Sequence, residues 1–284
     1  MAEFTNQASL IYNDTIANSN VVVGNLVQPL AVEKTAVSDS YDPDCTVTYV
    51  VSLTNSNAVA YTGLTLTDDL GAYTVDTRRL VPLSYVDGSI KYYVNGVLQT
   101  APTITAGDSL SVSGVNVPAN GNAMIIYEAR PTVYAPLDAE ASVTNAVTVT
   151  GDGIAEPISS SETVNAAAGA ILSISKSISP ATVAANGQIT YTFVIQNTGN
   201  TAADAALGAV VTDTFAPVLK NLTAAFNKTA LTADKDYTYD QTTGVFTTTP
   251  GTITVPAAEY TRDETTGAVQ ISPAIGVLTV TGTV

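Results

Sequence analysis

The chain has 284 residues, 45% of them hydrophobic, which is enough for two domains with cores of their own. It has no histidine, no tryptophan and one cysteine, so zinc, copper and non-haem iron sites and Ser-His-Asp or Cys-His catalysis are excluded, and no cofactor or metal is expected. Its formal net charge is −15 and its ten basic residues are scattered, which argues against nucleic acid as a partner.

Charged residues are only 12%, while Thr, Val, Ala, Asn and Gly are abundant. That balance favours strands and turns over helices. Cys45 has no partner within the chain, so no internal disulfide is expected. No apolar run is long enough to span a membrane, and Met1-Ala-Glu-Phe4 lacks the basic-then-apolar pattern of a signal peptide.

The first stretch, Phe4 to Val23, reads like the closing part of a domain that would precede it. The same kind of text recurs at Val143 to Val164, with Thr5-Asn6 matching Thr144-Asn145. Each has an alternating apolar strand, a polar turn and a second run. Each leads into a similar passage, Leu30 to Val37 with Lys34 or Leu172 to Ser179 with Lys176.

A first unit follows, with strands predicted at 30–37, 46–55, 64–68, 89–94, 109–115, 123–130 and 142–149. Turn signals separate them, among them Asp42-Pro-Asp44, Asp87-Gly88, Asn95-Gly96 and Asn120-Gly121. Alternation is clearest in Val47-Thr-Tyr49-Val-Val51-Ser-Leu53. Short strands, frequent turns and no helical period predict an antiparallel sandwich.

A second unit starts near Ala170 and repeats the plan. Gly187 to Asn197 matches Cys45 to Asn55, and Ala209 to Asp213 matches Leu64 to Asp68. Ser272-Pro-Ala to Val284 matches Val117-Pro-Ala to Arg130, and the text ends there without a counterpart of Val143–Val164. The expected fold is all-β: two tandem antiparallel sandwiches. Residues 1–26 are read as a donor-strand segment, 27–166 as the first sandwich, and 167–284 as a second one lacking its closing strand.

Two acidic clusters, Asp39–Asp44 and Arg262-Asp263-Glu264, have no Asp-x-Asp-x-Asp-Gly spacing and read as solvated turns rather than Ca²⁺ loops. Lys91-Tyr92-Tyr93 reads as cross-strand packing with one ring on each face, rather than a sugar-stacking surface.

The matched residues resemble the "conserved repeat domain" (domain of unknown function eleven) of Gram-positive surface and fibre proteins. Its repeats carry a Lys strand, a Gly-x-x-x-Tyr-Thr-x-x-x-x-Asn-x-Gly strand, a Val-Thr-Asp turn and a Thr-Asn-x-Ala strand. Lys176, Gly187 to Gly199, Thr212-Asp213 and Phe4 to Ala8 fit it, as do Lys34, Tyr49 to Asn55, Thr67-Asp68 and Thr144-Asn145. Cys45 stands where the family has Gly, and Asn57 replaces the Gly after the strand. The resemblance implies an immunoglobulin-like sandwich at a cell or spore surface.

Similarity to isopeptide-forming pilin domains implies more: a Lys–Asn bond across the core, assisted by an acid. Burial disfavours the ammonium, which leaves a neutral amine as nucleophile. Burial also keeps the carboxyl protonated, able to polarise the Asn carbonyl and move protons. The first unit offers Lys34, Asn145 and Asp68, with Asp69 adjacent. The second offers Lys176 and Asp213, and the Asn in matching context is Asn6, so that bond would join two copies. Each residue also has a simpler reading: edge-strand lysines in solvent, asparagines on backbone groups, aspartates closing Asx turns.

An open sandwich edge invites β-strand addition. Phe4, Asn6, Ala8 and Leu10 form one face of the proposed donor, with Thr5, Gln7, Ser9 and Ile11 on the other. Head-to-tail donation that does not close generates a filament. The expected function is therefore an extracellular structural subunit whose partner is itself, with no membrane span and no small-molecule substrate. The alternative is a monomeric adhesive or spacer module; a polysaccharide hydrolase is a further rival without a recognisable acid–base context. No enzymatic activity is expected beyond self-catalysed bond formation.

Overall fold

A computed structural model describes residues 2–12, 15–26 and 29–284, and the side chains of residues 2–4, 12, 25 and 26 also lie outside the described set. The structure is an all-β, immunoglobulin-like pair of sandwiches, with a single 3-10 turn among the described residues, at Ala205–Leu207. Among the described residues no helix is long and apolar enough to cross a membrane.

The N-terminal segment contains β1 (Ala2–Asn6), β2 (Ser9–Tyr12), β3 (Thr15–Asn18) and β4 (Val22–Leu26). β1 pairs with β4 and β2 with β3, both antiparallel, so the segment folds on itself as a hairpin. The expected strand and second run pair with each other, and the donor face Phe4 to Leu10 is broken at Gln7-Ala8. There the partner run carries an extra residue, and Ser19 binds across the gap: Gln7 Nε2 donates to its carbonyl, the Ala8 amide to its Oγ. From Thr5 onward every described side chain but that of Gly24 is exposed, Leu10 by 64% and Ile11 by 69%.

The first sandwich begins with β5 (Leu30–Ala36), β6 (Ser40–Tyr41), β7 (Val47–Asn55) and β8 (Tyr61–Asp68). Short strands follow: β9 (Tyr73–Val75), β10 (Arg78–Leu80), β11 (Leu83–Tyr85), β12 (Lys91–Val94), β13 (Val97–Gln99) and β14 (Thr103–Ala106). Four long ones complete it: β15 (Leu110–Val117), β16 (Asn122–Pro131), β17 (Ser142–Thr150) and β18 (Ile158–Ala166). One sheet runs β13-β12-β16-β7-β5, with β11 also on β16; the other runs β14-β15-β8-β17-β18-β6. Strand β7 shows why the pattern works: Val47, Tyr49, Val51 and Leu53 point inward at 0–1% exposure while their neighbours face out. The β12–β13 turn is Asn95-Gly96, both with positive φ, as a two-residue hairpin requires. Tyr92 is buried and Tyr93 half-buried, one ring on each side of β12.

The second sandwich contains β19 (Leu172–Ser179), β20 (Gln188–Asn197), β21 (Thr212–Thr214), β22 (Lys220–Phe226), β23 (Thr229–Ala230), β24 (Tyr237–Tyr239), β25 (Val245–Thr248), β26 (Glu259–Arg262), β27 (Val269–Ser272) and β28 (Ala274–Thr283). Its main sheet, β19-β20-β28-β22-β23, matches β5-β7-β16-β12-β13 strand for strand. Its other sheet is only β21-β25-β24. There β21 has β25 on one side and no described strand on the other, whereas β8 in the first sandwich lies between β15 and β17.

The match of Ser272-Pro-Ala to Val117-Pro-Ala does not survive. Asn55 Nδ2 donates to the Val59 and Pro118 carbonyls; Asn197 Nδ2 donates to those of Thr201 and Pro256. Pro256 is therefore the counterpart of Pro118, and the β26–β27 hairpin is an insertion. That hairpin leans on the first sandwich. The Val269 amide donates to the Val133 carbonyl at 2.7 Å, and the Arg262 guanidinium lies 5.2 Å from the Tyr73 ring centre.

Candidate functional site: two lysine–aspartate pairs, one closed and one open

Lys34 sits on β5 at an inward position, opposite Val51 of β7. Lys176 sits on β19 opposite Phe193 of β20, the equivalent register. Both lysines form an ion pair with the aspartate that the repeat predicts, Lys34 with Asp68 and Lys176 with Asp213.

The first pair is closed over. The side chains of Lys34 and Asp68 are 0% and 4% exposed. β17 runs beside β8 with Val147 opposite Asp68 and Val149 opposite Leu66, and the fully buried Asn145 follows from that register. One void of about 10 Å³ touches Asp68 and Tyr127. That is the smallest space a water needs, and its lining is mostly aliphatic.

A residue absent from the sequence reading sits at the centre. The Tyr127 hydroxyl, on β16, accepts from Lys34 Nζ at 2.9 Å and from Asn145 Nδ2 at 3.1 Å, and donates to Asp68 Oδ2 at 2.5 Å. Its ring stacks on Tyr49, centres 5.5 Å apart. The other atom of interest, Asn145 Oδ1, accepts the Gly71 amide at 3.2 Å. So it is Gly71, and not Asp68 as expected, that bonds the Asn carbonyl. Asp68 spends its second oxygen on the Leu70 amide. Gly71 has φ +71° and a Cβ there would stand 2.4 Å from Val143 Cγ1, so no other residue fits. Leu70 before it is also left-handed, φ +55°, a strained position held by burial. Asp69 takes the Gly71 amide of the turn and the Ala146 amide of β17, which leaves Asp68 as the carboxylate that meets the lysine.

Burial is the dominant influence on these groups. It lowers the Lys34 pKa below the usual 10.5, against the opposing pull of Asp68. Burial likewise pushes the Tyr127 hydroxyl well above 10.0.

The second pair is open. Lys176 and Asp213 side chains are 39% and 18% exposed. Every residue of β19 is exposed, including Leu172, Ile174 and Ile178. The ammonium rests on aromatic faces, 4.4 Å from the Tyr191 ring centre, 5.3 Å from Phe215 and 5.4 Å from Phe193. Val280 occupies the place of Tyr127, since it lies opposite Tyr191 as Tyr127 lies opposite Tyr49. Beside the pair, a hollow of about 160 Å³ is lined by Leu172, Ile174, Ile195, Ala209 and Val211. The strands β17 and β18 cover the matching ground in the first sandwich.

Of the donor residues, Asn6, Ala8 and Leu10 are exposed on the free hairpin and touch neither lysine; the Phe4 side chain lies outside the described residues. The acidic turns are self-contained: Asp42 accepts the Asp44 and Cys45 amides, and Asp263 those of Thr265 and Thr266.

No protein-family model matches the chain, and no curated protein matches it in sequence. Solved structures do match it. The major pilin subunit BcpA of Bacillus cereus aligns over 96% of this chain and 73% of its own, at 10% identity and TM-score 0.38. The pilus backbone RrgB of Streptococcus pneumoniae aligns over 86% of this chain and 55% of its own (12%, TM-score 0.34). The full-length major pilin SpaD of Corynebacterium diphtheriae aligns over 86% and 59% (12%, TM-score 0.35). The likeness is one of architecture. A family 123 glycoside hydrolase from Clostridium perfringens aligns over 49% of this chain and 27% of its own (10%, TM-score 0.30). The chain spans just over half the length of RrgB, SpaD and the GBS80 pilin fragment of Streptococcus agalactiae that it matches.

Proposed function

We propose that the chain is a structural subunit of an extracellular filament, a pilus-like or spore-surface appendage. Copies join head to tail: the N-terminal hairpin of one copy lies along β21 of the next and closes its second sandwich. The observation that carries this reading is the contrast between β8, flanked on both sides, and β21, free on one. The exposed β1–β4 hairpin has the same Thr-Asn entry as the β17–β18 hairpin that flanks β8.

The register of the first sandwich gives the docked register of the second. Thr5-Asn6 matches Thr144-Asn145, so Ala8 falls opposite Asp213 and Leu10 opposite Val211, beside the apolar hollow. Asn6 then takes the place of Asn145, above Lys176. Main-chain hydrogen bonds supply affinity, and burial of Leu10 and its neighbours adds about 25 cal/mol per Å² of apolar surface covered. Docking desolvates Lys176, so its reaction with Asn6 beside Asp213 would follow assembly and lock the joint. Within each copy, Lys34 and Asn145 form the corresponding internal bond beside Asp68.

Electron microscopy of the intact protein and of a version lacking residues 2–26 tests assembly, and a boiled, reduced detergent gel tests the cross-link. Filaments from the intact protein alone, with a gel ladder lost in Asn6→Ala and Lys176→Ala, are the expected results. Filaments that persist without residues 2–26 contradict donation by the hairpin. A ladder-free gel removes only the covalent step.

A further inference from the structure

The Tyr127 hydroxyl touches both nitrogens whose bonds would change if Lys34 were joined to Asn145. It lies 2.9 Å from Lys34 Nζ, the attacking atom, and 3.1 Å from Asn145 Nδ2, the leaving atom. It also bonds Asp68 Oδ2. A hydroxyl has one proton to give and two lone pairs to offer, and all three are used here. We propose that Tyr127 is a catalytic residue of this reaction, the relay that carries a proton from the attacking nitrogen to the leaving one. The proposal rests on the Lys34–Asn145 bond put forward above.

The steps balance without a co-reactant. The Lys34 ammonium passes a proton to Asp68, with which it is paired, and becomes a neutral amine. Asp68, now a carboxylic acid, donates to the Tyr127 oxygen, which frees the hydroxyl proton to turn toward Asn145 Nδ2. The Nζ lone pair attacks Asn145 Cγ while the Gly71 amide supports charge building on Oδ1. As the Nζ–Cγ bond forms, Nζ releases a proton to the Tyr127 oxygen. The Tyr127 proton goes to Nδ2, the Cγ–Nδ2 bond breaks, and ammonia leaves. Lysine amine plus carboxamide has become one secondary amide plus ammonia, and Tyr127 ends as it began.

Two features of the site favour a hydroxyl over water in this role. The adjoining void leaves at most the room of one water, with an aliphatic lining. Burial also holds the Tyr127 proton on its oxygen, so the group enters the reaction neutral. The second sandwich has Val280 in the equivalent place. The relay is therefore a property of the internal bond.

The test follows the intact mass of the freshly synthesised full-length monomer with time, with Asn6→Ala present throughout so that no ammonia is lost at a joint between copies, for the otherwise unaltered chain, Tyr127→Phe and Asn145→Ala. The expected result is loss of one ammonia in the unaltered chain, none in Asn145→Ala, and loss slowed by about 10²-fold or more in Tyr127→Phe, the range for removing a general acid–base group. Circular dichroism shows whether Tyr127→Phe is folded. Equal rates in folded Tyr127→Phe and the unaltered chain overturn the relay while leaving the bond intact. Full mass retained by the unaltered chain overturns the bond itself, and the relay with it. If Tyr127→Phe does not fold, the unaltered chain in heavy water decides: a slower loss supports a proton in flight, and an equal rate overturns it.

Discussion

The two sandwiches carry the same lysine and the same aspartate at the same ladder positions, yet one pair is sealed and the other lies open. The difference is not in the pair. It is in what covers it: β17 and β18 over Lys34, and no described strand over Lys176. A lysine in a sealed apolar site must find every partner inside the protein, and Lys34 has Asp68 and Tyr127. A lysine at an open edge keeps its water, and Lys176 needs only one carboxylate and the faces of three rings.

The sharpest way to break the comparison is to remove each lysine in turn. Lys34→Ala strands Asp68 in the core, which costs about 3–5 kcal/mol for a broken buried pair, and any covalent stabilisation goes with it. Calorimetry should show the first sandwich's transition fall and the second's hold.

A symmetric substitution sharpens the contrast from the other side. Asn55 and Asn197 each donate twice to backbone carbonyls at the end of equivalent strands. In the two transitions of a denaturant titration, Asn55→Ala and Asn197→Ala should cost about 1–3 kcal/mol each, from carbonyls left unpaired, with the larger loss at Asn197, whose Oδ1 accepts the Ile171 amide as well as that of Gly199. A larger loss at Asn55 would contradict this count of partners.

Acidity separates the two states of the sealed pair. With the bond blocked by Asn145→Ala, Lys34 titrates, and burial has lowered its folded pKa below 10.5. The unfolded chain then binds more protons, so stability rises with pH from that lowered value toward 10.5 and is lost as pH falls through it. Above about 10 the trend reverses, because burial raises the pKa of Tyr49 and Tyr127 and the folded state holds their protons longer. In the bonded chain Lys34 is an amide, and the rise should be missing. Melting temperatures across pH 7 to 10 check this.

The smallest effect is expected at the open pair. Lys176→Ala should change the monomer's stability by about 1 kcal/mol or less, as for exposed ion pairs, while abolishing the gel ladder. A large loss of monomer stability would show that the site is already closed in solution.

Much of this was legible in the sequence because β7 and β20 alternate cleanly and the repeat fixes Lys34 against Lys176 and Asp68 against Asp213. Asn145 was found the same way. Tyr127 was not, because its role depends on which residue faces Tyr49 across the ladder, and nothing near Met124-Ile-Ile-Tyr127 marks that register. Its signal was a second inward tyrosine in an otherwise aliphatic face. The β26–β27 insertion was hidden by a second Pro-Ala pair: Pro256-Ala257 and Pro273-Ala274 look alike in text, and only the hydrogen bond from Asn197 tells them apart. Short strands such as β9, β10 and β11 have too few residues to show a period. The strand, turn and second run of the N-terminal segment are legible from the match to Val143–Val164, but the break at Gln7-Ala8 is not, because it depends on the extra residue in the partner run.

What closes the second sandwich is the most direct question to put to the molecule. A peptide of residues 2–26, added to protein lacking that segment, should bind and protect the amides of β19 and β21 from hydrogen exchange, leaving β5 and β8 unchanged. No binding, or protection confined to the first sandwich, would contradict closure by the N-terminal hairpin.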